Sequence, residues 1–367
     1  MSYRIFVINP GSTSTKLAYF EDDKKLFETN VFHDSSELAK FPTINAQLPY
    51  RKKVIMEFLK ENNLDLHGID AVVGRGGASY ACLSGVYEIT DLLLNDTIEA
   101  KSGVVHPSSL GPQLAREVQA EFGGRAFIVD CPMSDEFEEI ARITGLKGLY
   151  RMSHLHVLNQ KATARVFCKE NGLKYEDSNL IVCHIDGGMS FAAHRKGKMI
   201  DGTDGAGGEG SFTPTRAGNL DSLDFTDYLR NNGIDLKDAR KHVTQSGGFV
   251  SHFGTSNADT VHDMVKSGDE YAKLVWEAMA YNICKQIGIM ATVLEGEIDA
   301  IVLGGGLLRF DDLCELIEKR VKWIAPVHFY PGEFEHEAMA EGALRVLRGE
   351  EELKVYTGKP IWSGLDK

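Results

Sequence analysis

Residues 3–20 read YRIFVINPGSTSTKLAYF, and the fold follows from how this stretch divides. Ile5 to Ile8 form a continuous apolar run with β-branched members, the pattern of a buried strand. Asn9-Pro10-Gly11 breaks the run, Ser12, Thr13, Ser14 and Thr15 form a polar tract, and Leu17 to Phe20 resume strand character. Two strands around a small-residue loop make a hairpin whose tip lines up hydroxyls and backbone N–H groups. Such a tip suits a phosphate, because those groups bind anion oxygens and the small side chains permit close approach. Lys16 adds positive charge. Taken alone, the stretch reads equally well as an ordinary Ser/Thr-rich turn.

A second copy separates the two readings. Residues 180–191, LIVCHIDGGMSF, repeat the apolar run, the amide or acid, the small residues and the return. Asn9 and Asp186 hold corresponding places, as do Gly11 and Gly188. One such unit in each half of the chain predicts an internal duplication, with two phosphate loops facing each other across a cleft.

Composition bounds the rest. At 367 residues the chain suits two domains of roughly 150 each. Hydrophobic residues at 43% and charged residues at 25% are those of a globular protein with ample core. A formal charge of −13 argues against a nucleic-acid partner, whose footprint is basic, while leaving room for an anionic substrate held by a few arginines. The six cysteines form no C-x-x-C pair, which predicts reduced thiols in a cytoplasmic protein. No signal-peptide pattern opens the chain and no apolar run is long enough to span a bilayer, so no membrane partner is expected.

Candidate anion-binding groups recur just past predicted strands, where open α/β sheets bind ligands. A strand over 69–73 runs into Gly74-Arg75-Gly76-Gly77; Arg75 there suits an anion, or a surface carboxylate. A strand over 126–129 ends at Asp130, which serves either to order Mg²⁺ or to cap a helix from Ser134. His106 precedes a predicted helix capped by Ser109 and running through about Phe122. A helix is predicted over 153–171; His154 and His156 are two apart and cannot share a helical face as zinc ligands do, so one of them suits a phosphate and the other the surface. Residues 201–218, DGTDGAGGEGSFTPTRAG, form a glycine-rich loop ending near Arg216. The longest helix is predicted over 269–294, with part of its face available to another subunit. A strand over 298–303 opens into Gly304-Gly305-Gly306. The last unit is a strand, a Pro331-Gly332 turn and a helix with Glu337 in its first turn. G-x-x-x-x-G-K-[ST], H-R-D, D-F-G and G-x-S-x-G are all absent.

Two hairpin loops plus a third glycine loop resemble the actin-like ATPase superfamily. VINPGSTSTK, HPSSLG at 106–111, IVD at 128–130, HVLNQK from His156, CHIDGG, FTPTRAG and ALRVLRGE together resemble the acetate and butyrate kinase family, over nearly the whole chain and most closely in its butyrate branch. The resemblance implies an α/β fold of two duplicated ribonuclease-H-like domains, 1–150 with 335–367 and 151–334, with ATP or ADP in the cleft between them. It implies reversible ATP-dependent phosphorylation of a short-chain fatty acid to an acyl phosphate, and a homodimer or larger homo-oligomer. Acetate, propionate or a branched acid is the alternative acceptor, and an actin-like ATPase without a carboxylate substrate the distant one. By the same resemblance, Arg75, Asp130, His156 and Arg216 are catalytic. Asn9, Ser12, Ser14, Lys16, His106, Gly187 and Gly188 bind phosphate or substrate, and Gly304, Gly305 and Gly306 bind the nucleotide. Asn9 and Asp130 hold Mg²⁺. The glutamate that acetate kinases carry after the glycine loop is replaced by Leu307-Leu308-Arg309, which leaves Glu337 as the expected third metal ligand.

Overall fold

The computed structural model describes residues 2–365. The chain divides into two compact units, one running up to Asp135 and resuming at Phe334, the other spanning Glu136–Glu333.

In the first unit the apolar run becomes β1 (Arg4–Pro10), and the return becomes β2 (Ser14–Glu21). They pair antiparallel, with β3 (Lys24–Phe32) continuing the meander. β4 (Ala71–Gly74) and β6 (Arg125–Val129) extend the sheet parallel to β1, and β5 (Val86–Glu88) closes the far edge, giving the order β3-β2-β1-β4-β6-β5. Ile5, Phe6, Val7 and Ile8 are fully buried, as a run apolar on both faces requires. The helix Glu335–Leu347, from the far end of the chain, packs on β1, β4 and β6. Its Gly342 lets it approach closely, since a Cβ there would lie 2.4 Å from Val129 Cγ1.

The second unit repeats the plan. β7 (Asn179–Ile185), β8 (Met189–Arg195) and β9 (Lys198–Gly202) form the meander, and β10 (Ala300–Gly305) and β11 (Val327–Pro331) lie parallel to β7 in the order β11-β10-β7-β8-β9. Meander first, then two parallel strands beyond the opening strand, is the topology of both sheets. Asp269 caps the long helix Glu270–Val293 by accepting from the N–H groups of Tyr271 and Ala272, and Trp276 on that helix stacks on Phe249 with ring centroids 5.9 Å apart.

The third meander strands lie outside the sequence expectation because neither carries an apolar run; β3 is an edge strand with no buried residue. Residues 92–106 read as irregular, yet Thr90 caps a helix over Asp91–Ile98 by accepting from Leu93 N–H. The helix expected from 153 starts at Val157. Residues 136–150, expected in the first domain, belong to the second unit: Glu136 pairs with Lys161 at 2.9 Å with both side chains buried and accepts from Met199 N–H, and Glu138 N–H donates to Ile200 O.

A glycine pair sets the position of Arg75. A Cβ on Gly74 would lie 2.3 Å from Gly111 O, and a Cβ on Gly111 2.1 Å from Arg75 O. The helix Leu110–Phe122 therefore touches the end of β4 backbone to backbone. Gly111→Ala should destabilise the protein by about 1–3 kcal/mol through overpacking, read as a lowered midpoint in thermal unfolding. An unchanged midpoint would show that the contact can relax without loss.

Candidate functional site

Because β1, β4 and β6 are parallel neighbours, their carboxyl ends share one sheet edge, and Asn9, Arg75 and Asp130 all lie there. Lys16 sits directly across from Asn9 in the β1–β2 register, on the same face. Asn9 Nδ2 donates to Glu335 Oε2 at 2.8 Å, and Arg75 Nη2 pairs with Glu335 Oε1 at 3.0 Å. Arg75 Nη1 is buried with no acceptor among the described residues. His106 Nδ1 accepts from Ser108 N–H at 3.2 Å; desolvation and then the Arg75 charge lower its pKa, with Glu335 opposing. Asp130 is buried at φ 39°, in the left-handed region, and is clamped to Gly85: its Oδ1 accepts from Gly85 N–H at 2.8 Å and its own N–H donates to Gly85 O at 3.0 Å. The carboxylate caps no helix, since none starts at Ser134.

The acid that meets Asn9 and Arg75 is Glu335, whereas Glu337 bonds Lys25 Nζ at 2.7 Å. Two residues apart on a helix, the two carboxylates point roughly 200° apart, so only one can reach the strand ends. Asn9, Glu335 and Asp130 offer an amide oxygen and two carboxylates, the hard oxygen set that Mg²⁺ takes.

The first loop is held from beneath by Arg51, a residue fully buried in the helix Leu48–Glu61. Its Nη1 donates to Gly11 O (2.9 Å), Ser14 O (3.2 Å) and Thr15 Oγ1 (3.3 Å), its Nη2 to Ser12 O (2.9 Å), and its Nε to Gln47 Oε1 (3.1 Å). Burial pushes its pKa down to about 10. Three carbonyls of the 11–14 turn thus point at one guanidinium, which fixes the backbone that carries Ser12 and Ser14. Thr15 Oγ1 also bonds His33 Nε2 at 2.8 Å.

In the second unit the loop 186–188 lies against the 212–216 segment. Thr213 Oγ1 donates to Gly187 O at 2.8 Å and accepts from Arg216 N–H at 3.1 Å. The Arg216 guanidinium covers Gly188 so closely that a Cβ there would be 2.0 Å from Nη1. Its Nε and Nη1 are buried without an acceptor among the described residues, and burial lowers its pKa against an opposing Asp204. Asp186 ties this loop to the glycine loop after β10, its Oδ1 accepting from Gly187 N–H (2.6 Å) and its Oδ2 from Gly306 N–H (2.7 Å). Gly305 turns the chain at φ 122°, while Gly304 is buried inside β10 with its Cβ position 2.8 Å from Thr163 Oγ1, a packing contact. His184, Asp186 and Glu333 each bring one ligand atom within 4.8 Å of the others.

His156, just before the helix Val157–Glu170, meets Ser190 Oγ through Nδ1 at 2.8 Å and stacks on His184 with centroids 4.1 Å apart. His154 instead pairs with Asp204 Oδ2 at 3.2 Å. Although burial alone would raise the pKa of Asp204, the His154 and Gly207 hydrogen bonds hold it below its ordinary value. Sequence reasoning passed over Glu335, Arg51, Ser190 and Gln160. Glu335 had a usable signal, an acid in the first turn of the last helix; Arg51 had none, since a buried arginine reads as an exposed one on an amphipathic helix.

Comparison with known proteins gives the family and the fold. Residues 140–315 match the Acetokinase family. The chain is 44% identical over 357 residues to a probable butyrate kinase of Coprothermobacter proteolyticus, covering 97% of this chain and 100% of that one. It is 43% identical over 358 residues to butyrate kinase 2 of Clostridium acetobutylicum, again covering 97% and 100%. In three dimensions it is similar to acetate kinase of Porphyromonas gingivalis, with a TM-score of 0.77 at 20% identity over 94% of this chain and 100% of that one. The two-sheet α/β fold is that of the acetate kinases, as the duplicated hairpins led one to expect.

The first loop carries a pH dependence. Burial and the Arg51 charge lower the pKa of His33 from 6.5 to about 4. The unfolded chain therefore binds more protons than the folded one between these values, so stability is fully present above pH 6.5 and falls as pH drops through 4. Denaturant unfolding of the wild type should lose about 3 kcal/mol from this residue across that window, and His33→Gln should show a flatter profile. Parallel profiles would remove His33 as the cause.

Proposed function

This chain belongs to the acetokinase family, and we propose that it transfers the γ-phosphoryl group of ATP to the carboxylate of butanoate, reversibly giving butanoyl phosphate and ADP. The observation that carries this reading is Arg216. A guanidinium buried over a glycine loop with two nitrogens lacking acceptors among the described residues is costly to keep, unless an anion supplies the oxygens. Arg75 Nη1 makes the same demand at the end of β4.

A carboxylate acceptor is already deprotonated at pH 7, so the reaction needs no general base. Its obstacle is the repulsion between two anions. Arg75 and Arg216 neutralise that repulsion and hold charge on the equatorial oxygens during in-line transfer, where positioning and electrostatics supply nearly all the catalysis. His156 hydrogen-bonds a phosphoryl oxygen, with His106 supporting Arg75. Ser12, Ser14 and Lys16, with Gly187 and Gly188, cradle phosphate, and the 304–306 loop serves the nucleotide chiefly through Gly305 and Gly306. Mg²⁺, when held by Asn9, Glu335 and Asp130, supplies further charge neutralisation on the phosphate oxygens. One methylene is worth only about 1–3 kcal/mol in an apolar pocket, so propionate, isobutyrate and valerate should be used as well. Exposed Tyr271, Leu274, Tyr281 and Ile289 on the Glu270–Val293 helix support self-association as a homodimer or larger assembly. No helix among the described residues is long and apolar enough to cross a membrane, and six free cysteines suit the cytoplasm.

Hydroxylamine trapping tests the reaction directly. With ATP and Mg²⁺, butanoate should give the hydroxamate fastest in a C2–C5 acid series; fastest trapping with acetate or propionate would move the preferred substrate, and no hydroxamate from any of them would refute the function. Arg216→Gln should lower turnover on the order of 10³-fold, as removal of other phosphoryl-transfer arginines does. Glu335→Gln should raise the Mg²⁺ concentration needed for half-maximal rate, and Glu337→Gln should leave it unchanged. The reverse ranking would return the metal to Glu337.

A further inference from the structure

Behind His156 runs a buried chain of hydrogen bonds whose proton positions are determined by its one obligatory acceptor. Gln160 Nε2 lies 3.1 Å from the backbone carbonyl of Ser190, which can only accept, so this end of the amide carries the hydrogens. Its second hydrogen goes to Ser190 Oγ at 2.8 Å. The opposite end, Oε1, then faces His194 Nε2 at 3.1 Å and must accept from it. That leaves His194 Nδ1 as the acceptor for the Tyr175 hydroxyl at 2.8 Å. His194 is fully buried, and burial, with the Lys161 and Arg165 charges, holds it neutral by pushing its pKa well down.

At the near end, Ser190 Oγ already accepts from Gln160 Nε2 and from His156 N–H at 3.3 Å. Its own hydrogen is directed to the remaining neighbour, His156 Nδ1, 2.8 Å away. A ring that accepts at Nδ1 carries its proton at Nε2. His184 stacked on the ring at 4.1 Å, itself bonded through Nδ1 to the Asn159 amide at 2.7 Å, holds its plane. We infer that Ser190, oriented by Gln160, is a positioning residue that fixes His156 as the Nε2–H tautomer, so that its outer nitrogen donates to a phosphoryl oxygen. The opposite tautomer would present a lone pair to oxygens that are themselves negative. This inference rests on the phosphoryl-transfer reading for its purpose, though not for its geometry.

Nitrogen NMR of the full-length protein labelled with ¹⁵N-histidine tests it, with His156 assigned by difference from His156→Gln. The wild type should show a protonated Nε2 and an unprotonated, hydrogen-bonded Nδ1. In Ser190→Ala that preference should collapse to a mixture of tautomers, and kcat should fall roughly 3- to 10-fold with KM for the acid changed less than 2-fold. Ser190→Thr, which keeps the hydroxyl, should restore both. Wild-type His156 protonated at Nδ1 overturns the inference without any variant, and so does a Ser190→Ala protein with the wild-type tautomer or the wild-type kcat. A protein that shows the expected tautomer, shifted by Ser190→Ala, yet phosphorylates no fatty acid would refute the proposed function and leave the proton assignment standing.

Discussion

A buried guanidinium group must find oxygen acceptors, and three arginines in this chain form a graded series under that constraint. Arg51 is satisfied by the protein itself, with three loop carbonyls, a hydroxyl and a glutamine oxygen around it. Arg75 is satisfied in part, by Glu335, with Nη1 left over. Arg216 has neither Nε nor Nη1 bonded to any described residue. The first builds a loop; the other two keep buried donors for which, in the proposed reaction, an anion supplies the oxygens. Because burial strengthens each charge–oxygen contact and also penalises each unmade one, a buried guanidinium with open donors favours a partner that brings oxygens to it.

The sheets explain why these groups sit where they do. A parallel arrangement sends the carboxyl ends of β1, β4 and β6 to one edge in the first unit, and those of β7, β10 and β11 to one edge in the second. Residues far apart in sequence then become neighbours without any long-range search for individual contacts. Close backbone approach does the rest: Gly74 against Gly111, Gly188 under Arg216, and Gly305 against Ile185 O are places where a side chain could not fit.

Much of this was legible in the residues. The buried runs at 5–8 and 180–185, interrupted by small polar residues, specify the hairpins because few other structures accommodate a dry strand that stops at a glycine. Arg75, Asp130 and Arg216 were visible because each follows such a strand or a glycine-rich loop. Less legible were features whose meaning depends on what lies opposite. β3 mixes polar and apolar residues, buries none of them, and becomes a strand because β2 offers an edge. Glu335 and Glu337 are equivalent in sequence, and the phase of one helix decides which reaches Asn9. Ser190 reads as one more strand residue until Gln160 and His156 are seen on either side of its hydroxyl.

The route of the chain through the first unit has a consequence for biosynthesis. Its sheet is complete once residue 135 has been made, but the helix that covers β1 and β6 and carries Glu335 is translated only after the whole of the second unit. The second unit, by contrast, is one uninterrupted stretch and can fold as it emerges from the ribosome. A nascent chain therefore holds the Asn9 and Arg75 side chains without their shared carboxylate until the second unit has been made. Assembly of that corner of the molecule is a signal that the intervening unit has been produced.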